Sequence, residues 1–158
     1  MRYQDAVVKA TYRALEDVSR AALAVPEDKR DWSVGGEARS VLSQMREIAL
    51  SAGWFLPIVR DRRLPEFSAH AEREGERIAD TFDSVEKCIE AARESTAELC
   101  REISAVRDED LETEMQLPFG GGMVLTLAEI IELHRWNMVY HLGQINYIQL
   151  ILGDREMH

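Results

Sequence analysis

Histidine, cysteine, proline and basic charge are all scarce in this 158-residue chain, and each scarcity excludes something. The two cysteines, Cys88 and Cys100, fall in a segment that reads as one helix, about 18 Å apart along its axis. That spacing forbids a disulfide within the chain, and free thiols suit a reducing compartment. No stretch approaches the ~18 consecutive apolar residues of a transmembrane helix, and the N-terminus does not resemble a secretion signal. The expected location is therefore cytoplasmic, without a membrane partner. Lys and Arg number 19 against 29 Asp and Glu, a net charge of −10, which repels nucleic acid and anionic membranes. The one basic run, "RDRRL" (Arg60–Leu64), reads as a solvated helix end, where cations suit the helix dipole. No recognisable Ser/His/Asp arrangement is present. The glycines of "FGGGM" lack the Lys-Ser or Lys-Thr pair of a phosphate loop, so they read as a turn.

What is present is a globular composition, 46% hydrophobic and 30% charged. A chain this long buries about 70% of the surface exposed by its unfolded form, so it needs no disulfide or metal to fold. The expected organisation is a single domain, 1–158. Apolar residues recur at helical spacing over 4–25, 37–59, 83–105 and 126–152. Pro57 is expected to bend or fray the last turn of the second helix. Asp83 to Glu86 resembles a capping box, and Thr126 is a plausible N-cap. Residues 60–82 are charged, with Leu64 and Phe67 as isolated apolar anchors. Segments near 112–117 and 123–125 suit two short strands joined by Gly120, Gly121 and Gly122. Four long helices with one long charged connection predict an all-α four-helix bundle.

The last helix carries the unusual pattern. On a helical wheel, His134, Asn137 and His141 share one face with Leu127, Ile130, Ile145, Ile148 and Leu152. Three polar side chains therefore stack in the bundle core. The flanks are also apolar: Leu133, Trp136, Tyr140, Tyr147 and Ile151 on one, Val139, Leu142 and Leu150 on the other. A helix apolar all round is buried on more than one side, which predicts a homodimer through this helix and its neighbours. Contact with the charged connection or the glycine loop within one chain is the alternative. Gly143 costs up to ~1 kcal/mol in a helix, so its presence suggests close approach of a neighbouring backbone. On the second helix, Glu47 shares a stripe with Ser51, Trp54 and Ile58. A partly inward carboxylate needs a paired group or a metal, unless it is a boundary residue whose head reaches water.

"YHLGQINYIQLILGD" resembles the C-terminal helix of the DinB-like (YfiT-type) superfamily, in which a histidine precedes an x-Gly-Gln-Ile/Leu stretch. "ARSVLSQMREIALSAGWF" is similar to that family's second helix. The resemblance implies a four-helix bundle of up-down-down-up order, often dimeric. It implies a divalent metal, Zn²⁺, Ni²⁺ or Fe²⁺, held by three histidines. It also implies chemistry on a low-molecular-weight thiol or small electrophile. Carried over residue by residue, the metal set becomes Glu47, Asn137 and His141, with His134 as a substitute one turn away. His141 alone keeps the family's histidine.

Glu and His are good ligands for these metals, whereas the neutral Asn amide oxygen is a poor one. A metal-free network, with Glu47 accepting from His141 and Asn137 completing it, is equally consistent with the sequence, and simple core packing is a third reading. Two functions follow as expectations: a metal-dependent enzyme with its pocket between the second and last helices, or a non-catalytic stress-response or small-ligand-binding bundle whose metal site has degenerated. The sequence assigns no catalytic residue. Cys88 and Cys100 lie on a regular apolar face and read as packing.

Overall fold

The computed structural model describes residues 1–65, 68–118 and 121–158. Four long helices form the bundle: α1 (Tyr3–Ala24), α2 (Val41–Asp61), α4 (Val85–Ala105) and α6 (Leu133–Ile151). A short α3 (Ala69–Asp80) lies in the charged connection, and a one-turn α5 (Leu127–Ile130) precedes α6. Between α4 and α5 runs a hairpin of β1 (Glu114–Gln116) and β2 (Val124–Thr126), antiparallel, with Met115 opposite Leu125. Gly121 and Gly122 have φ of +76° and +86°, the left-handed conformation that the turn requires of them. Gly120, the third glycine of the expected turn, and Phe67 lie outside the described residues.

Hydrogen bonds fix the directions of the helices. Tyr3 reaches Glu132 and Gln149 reaches the Ala21 carbonyl, so α1 and α6 run parallel. Arg46 reaches the Phe82 carbonyl at one end of α2 and Arg62 pairs with Asp110 near the other, so α2 and α4 are also parallel. Gln44 meets His141 while Ser51 meets His134, so α2 and α6 are antiparallel. The order is up-down-down-up, with α1 and α2 on opposite corners.

Local chemistry sets the element ends. α2 begins at Val41, later than the pattern suggests, because Ser40 Oγ accepts the Ser43 N–H at 3.1 Å. It ends at Arg62, whose φ of 55° breaks the helix past Pro57. The N-cap of α4 is Ser84 rather than Asp83, which instead pairs with Lys87. Thr126 and Glu129 do form a reciprocal capping box, but it closes the four-residue α5. The chain turns at Ile131 and Glu132 before α6 begins, so the expected single helix over 126–152 is two.

The core falls into two apolar halves. One gathers Val18, Met45, Ile48, Ala92, Met138 and Ile145; the other gathers Val7, Ile58, Leu99, Ile103, Leu117 and Leu127. A polar layer lies between them. Buried His134 takes hydrogen bonds with Ser51 Oγ at Nδ1 and Thr96 Oγ1 at Nε2, both at 2.8 Å, tying α6 to α2 and α4. Among the described residues, no helix is long and apolar enough to cross a membrane.

Candidate functional site

Antiparallel packing of α2 on α6 brings Glu47, Asn137 and His141 together. Glu47 Oε1 accepts from Asn137 Nδ2 at 2.7 Å and from His141 Nε2 at 3.0 Å. Its other oxygen, Oε2, is paired with the Arg39 guanidinium. Arg39 reaches back from the segment before α2, held by the Ser43 carbonyl at 2.8 Å and Ser43 Oγ at 3.1 Å. His141 Nδ1 meets Gln44 Oε1 at 3.1 Å, and Gln44 Nε2 donates to the Arg39 carbonyl at 3.2 Å. That second bond fixes which way the Gln44 amide faces. Both His141 nitrogens therefore face side-chain oxygens, one of Gln44 and one of Glu47.

His141 is buried and Glu47 is half-buried. The His141 hydrogen bond, then those from Arg39 and Asn137, outweigh burial and hold the Glu47 carboxyl down at about 2. The cluster is thus a carboxylate saturated by donors. One acceptor beside it is left over: Asn137 Oδ1 is buried without a hydrogen-bond partner.

The cluster lies at one end of a cleft of about 1390 Å³ bounded by α2, α3 and Asn137 of α6. Leu50, Trp54 and Phe55 supply its apolar wall, Trp54 and Phe55 packing edge to face at 5.0 Å. Glu72, Gly75, Glu76 and Ala79 of α3 supply the other side.

His134 does not join this cluster. It lies deeper, in the layer with Ser51 and Thr96, and burial pushes its pKa down to about 4. Ser51 lines the cleft and touches His134, yet its hydroxyl also donates to the Ile48 carbonyl at 3.1 Å. With that donation made, Ser51 accepts from the imidazole, the opposite of an activated nucleophile. Cys88 and Cys100 are buried, with thiols pushed up to about 11 by desolvation, so neither supplies a thiolate.

The donor set does not fit a tightly held transition metal. It offers one carboxylate, one imidazole and one neutral amide. The carboxylate is already matched to a guanidinium, and both imidazole nitrogens already have oxygen partners. Among the described residues, no group of three or more His, Cys, Asp and Glu side chains is placed to hold an ion. Arg39 and Gln44 were not anticipated from the sequence. Gln44 carried a signal, lying three residues before Glu47 on the same helix, whereas Arg39 precedes the helix and has no periodicity to betray it.

The architecture is shared with solved structures. YfiT from Bacillus subtilis, described as a probable metal-dependent hydrolase with an unusual four-helix bundle topology, superposes with a TM-score of 0.76 at 13% identity, covering 96% of this chain and 88% of that one. The chain shares the four-helix bundle fold of YfiT. An uncharacterised protein from Clostridium difficile 630 matches with a TM-score of 0.72 at 14% identity, covering 96% of this chain and 98% of that one. A histidine-to-alanine mutant of the mycothiol-dependent maleylpyruvate isomerase matches with a TM-score of 0.65 at 13% identity, over 90% of this chain and 60% of that one. No protein-family model and no curated protein sequence matches the chain.

Proposed function

We propose that this bundle binds a small amphiphilic molecule in the cleft between α2, α3 and α6, without a resident metal. The observation that carries the reading is the saturation of Glu47. Arg39, Asn137 and His141 supply the hydrogens and positive charge that a metal would otherwise bring to this carboxylate. A polar end next to an aromatic wall is the usual make-up of a small-ligand site. The bound molecule would lay its apolar part on Leu50, Trp54 and Phe55 and direct its polar part at Arg39 and Asn137.

A second reading, a divalent-metal enzyme acting on a small thiol or electrophile, draws on the unpartnered Asn137 Oδ1, an acceptor that a cation would satisfy. It also draws on the description of YfiT. One experiment separates the two. Protein purified without a metal-affinity tag is titrated with aromatic fragments while backbone amides are followed by NMR, with and without EDTA. The binding reading expects shifts around Glu47, Trp54 and Asn137, unchanged by EDTA, and sub-stoichiometric metal by elemental analysis. Stoichiometric zinc, nickel or iron, or fragment binding abolished by EDTA, supports the enzyme and sinks the metal-free site.

A further inference from the structure

The cleft beside Glu47 has an electrostatic sign that the α2–α6 cluster does not account for. Its wall carries two cations, Arg39 and Arg46, and four carboxylates, Glu47, Glu72, Glu76 and Asp80. Both cations are matched. Arg39 is paired with Glu47, and Arg46 lies 3.5 Å from Asp80 while its Nε donates to the Phe82 carbonyl at 2.9 Å. Glu72 and Glu76 are left over: among the described residues, neither side chain has an ion-pair or hydrogen-bond partner. The wall therefore holds a surplus of negative charge that nothing in the chain neutralises.

That surplus follows from how α3 sorts its charges. Of its four acids, Glu72, Glu76 and Asp80 line the cleft, whereas its arginines, Arg73 and Arg77, do not. The fourth acid, Glu74, is off this wall and pairs with Arg77 at 2.6 Å. Positions 72, 76 and 80 recur at four-residue spacing, so the three carboxylates stand in a row on one face. Like charges at that spacing destabilise a helix. None of the residues of α3 is buried, so the row gains the chain nothing in packing.

An independent observation asks for the same kind of partner. Asn137 Nδ2 donates to Glu47 Oε1 at 2.7 Å. A carboxylate held down at about 2 can only accept, so the amide cannot be turned around, and Oδ1 is the atom left buried without a partner. An amide oxygen is satisfied only by a donor. Leu50, Trp54 and Phe55 add an apolar stretch to the same wall, and the volume of about 1390 Å³ is ample for a body as well as a head group.

We propose, building on the metal-free binding reading, that the cleft takes an amphiphilic organic cation. It is an alkyl- or arylalkyl-ammonium whose apolar body packs on Leu50, Trp54 and Phe55. Its N–H donates to Asn137 Oδ1, and its charge is answered by Glu72 and Glu76. The same two carboxylates disfavour anionic molecules of equal shape.

Four probes of similar shape test the assignment: phenethylammonium, its N,N,N-trimethyl derivative, 2-phenylethanol and 3-phenylpropionate. Dissociation constants are read from the backbone amides of α2, α3 and Asn137 by NMR, in the intact chain, with and without EDTA. Phenethylammonium should bind about tenfold tighter than phenylpropionate. The trimethyl derivative keeps the charge but has no N–H, and should fall between them. Glu72 and Glu76 are exposed, so a Glu72→Gln, Glu76→Gln double variant should fold. In it the preference for amine over acid should shrink to below about threefold, with 2-phenylethanol binding as before. Phenylpropionate binding as tightly as the amine, or a preference unchanged in the double variant, overturns the cation assignment; the binding reading survives if 2-phenylethanol still binds. Equal affinity of the trimethyl derivative and the primary amine overturns the contact with Asn137 Oδ1. If no probe shifts the cleft resonances, or if EDTA abolishes the shifts, the assignment and the binding reading fail together.

Discussion

At the scale of single residues, the cluster depends on who is buried. His141 and Gln44 are each 1% exposed, whereas the side chain of Arg39 is 40% exposed. His141→Phe would leave the Gln44 amide without its partner in the interior and remove one donor from Glu47. An unsatisfied buried group costs about 1–3 kcal/mol. Arg39→Ala removes a solvent-screened ion pair, worth no more than ~1 kcal/mol. Urea denaturation should therefore rank His141→Phe as clearly more destabilising than Arg39→Ala, with EDTA changing neither curve. The reverse ranking would mean that Arg39, not the imidazole, anchors the carboxylate. Helical periodicity puts Asn137 and His141 on one inward stripe of the last helix and Glu47 on a partly inward stripe of the second, and it was the resemblance that grouped the three. The partners of His134 were not legible. Ser51 and Thr96 come from two other helices, and no local pattern says that three separate segments will meet.

At the scale of elements, the long helices were legible because each carries a continuous apolar face, and the up-down-down-up order was legible only through family likeness. Breaks were harder to foresee. Ile131 is buried and continues the apolar pattern from Ile130, so nothing in the spacing announces the turn that separates α5 from α6. α3 is the opposite case: its twelve residues include none that is buried, and Ser68 Oγ caps it by accepting the Ala71 N–H at 3.1 Å. An isolated helix of that length is marginal in water. Its amides should exchange with deuterium at least about 100-fold faster than those in the middle of α2 and α4, which open only with the core. Because Glu72, Gly75, Glu76 and Ala79 form one wall of the cleft, an occupant should slow α3 exchange selectively. Equal protection of α3 and α4 in the free protein would show that the wall is fixed by contacts other than those with α2.

At the scale of the whole molecule, the polar layer between the two core halves makes stability depend on pH. Burial favours the neutral His134 ring and lowers its pKa from 6.5 to about 4. Between those values the unfolded chain binds a proton that the folded chain refuses, so stability must rise with pH across the window. The contribution is fully present above 6.5 and is lost as pH falls toward 4. At 1.36 kcal/mol per pKa unit, the loss is about 3 kcal/mol. Glu47 acts in the same direction but in a lower window, from 4.5 to about 2, and more weakly, because its side chain is 39% exposed to water. The two are therefore separable by titration. Urea unfolding measured from pH 7.5 down to 3.5 should show a steep decline already below 6.5. His134→Gln keeps a donor and an acceptor for Ser51 and Thr96 but cannot titrate. It should be less stable than the native chain at pH 7.5, yet nearly flat between 6.5 and 4.5, so that the two curves converge on acidification. If the variant keeps the native slope in that window, the acid sensitivity belongs to some other group, and the buried layer is a packing device without a proton switch.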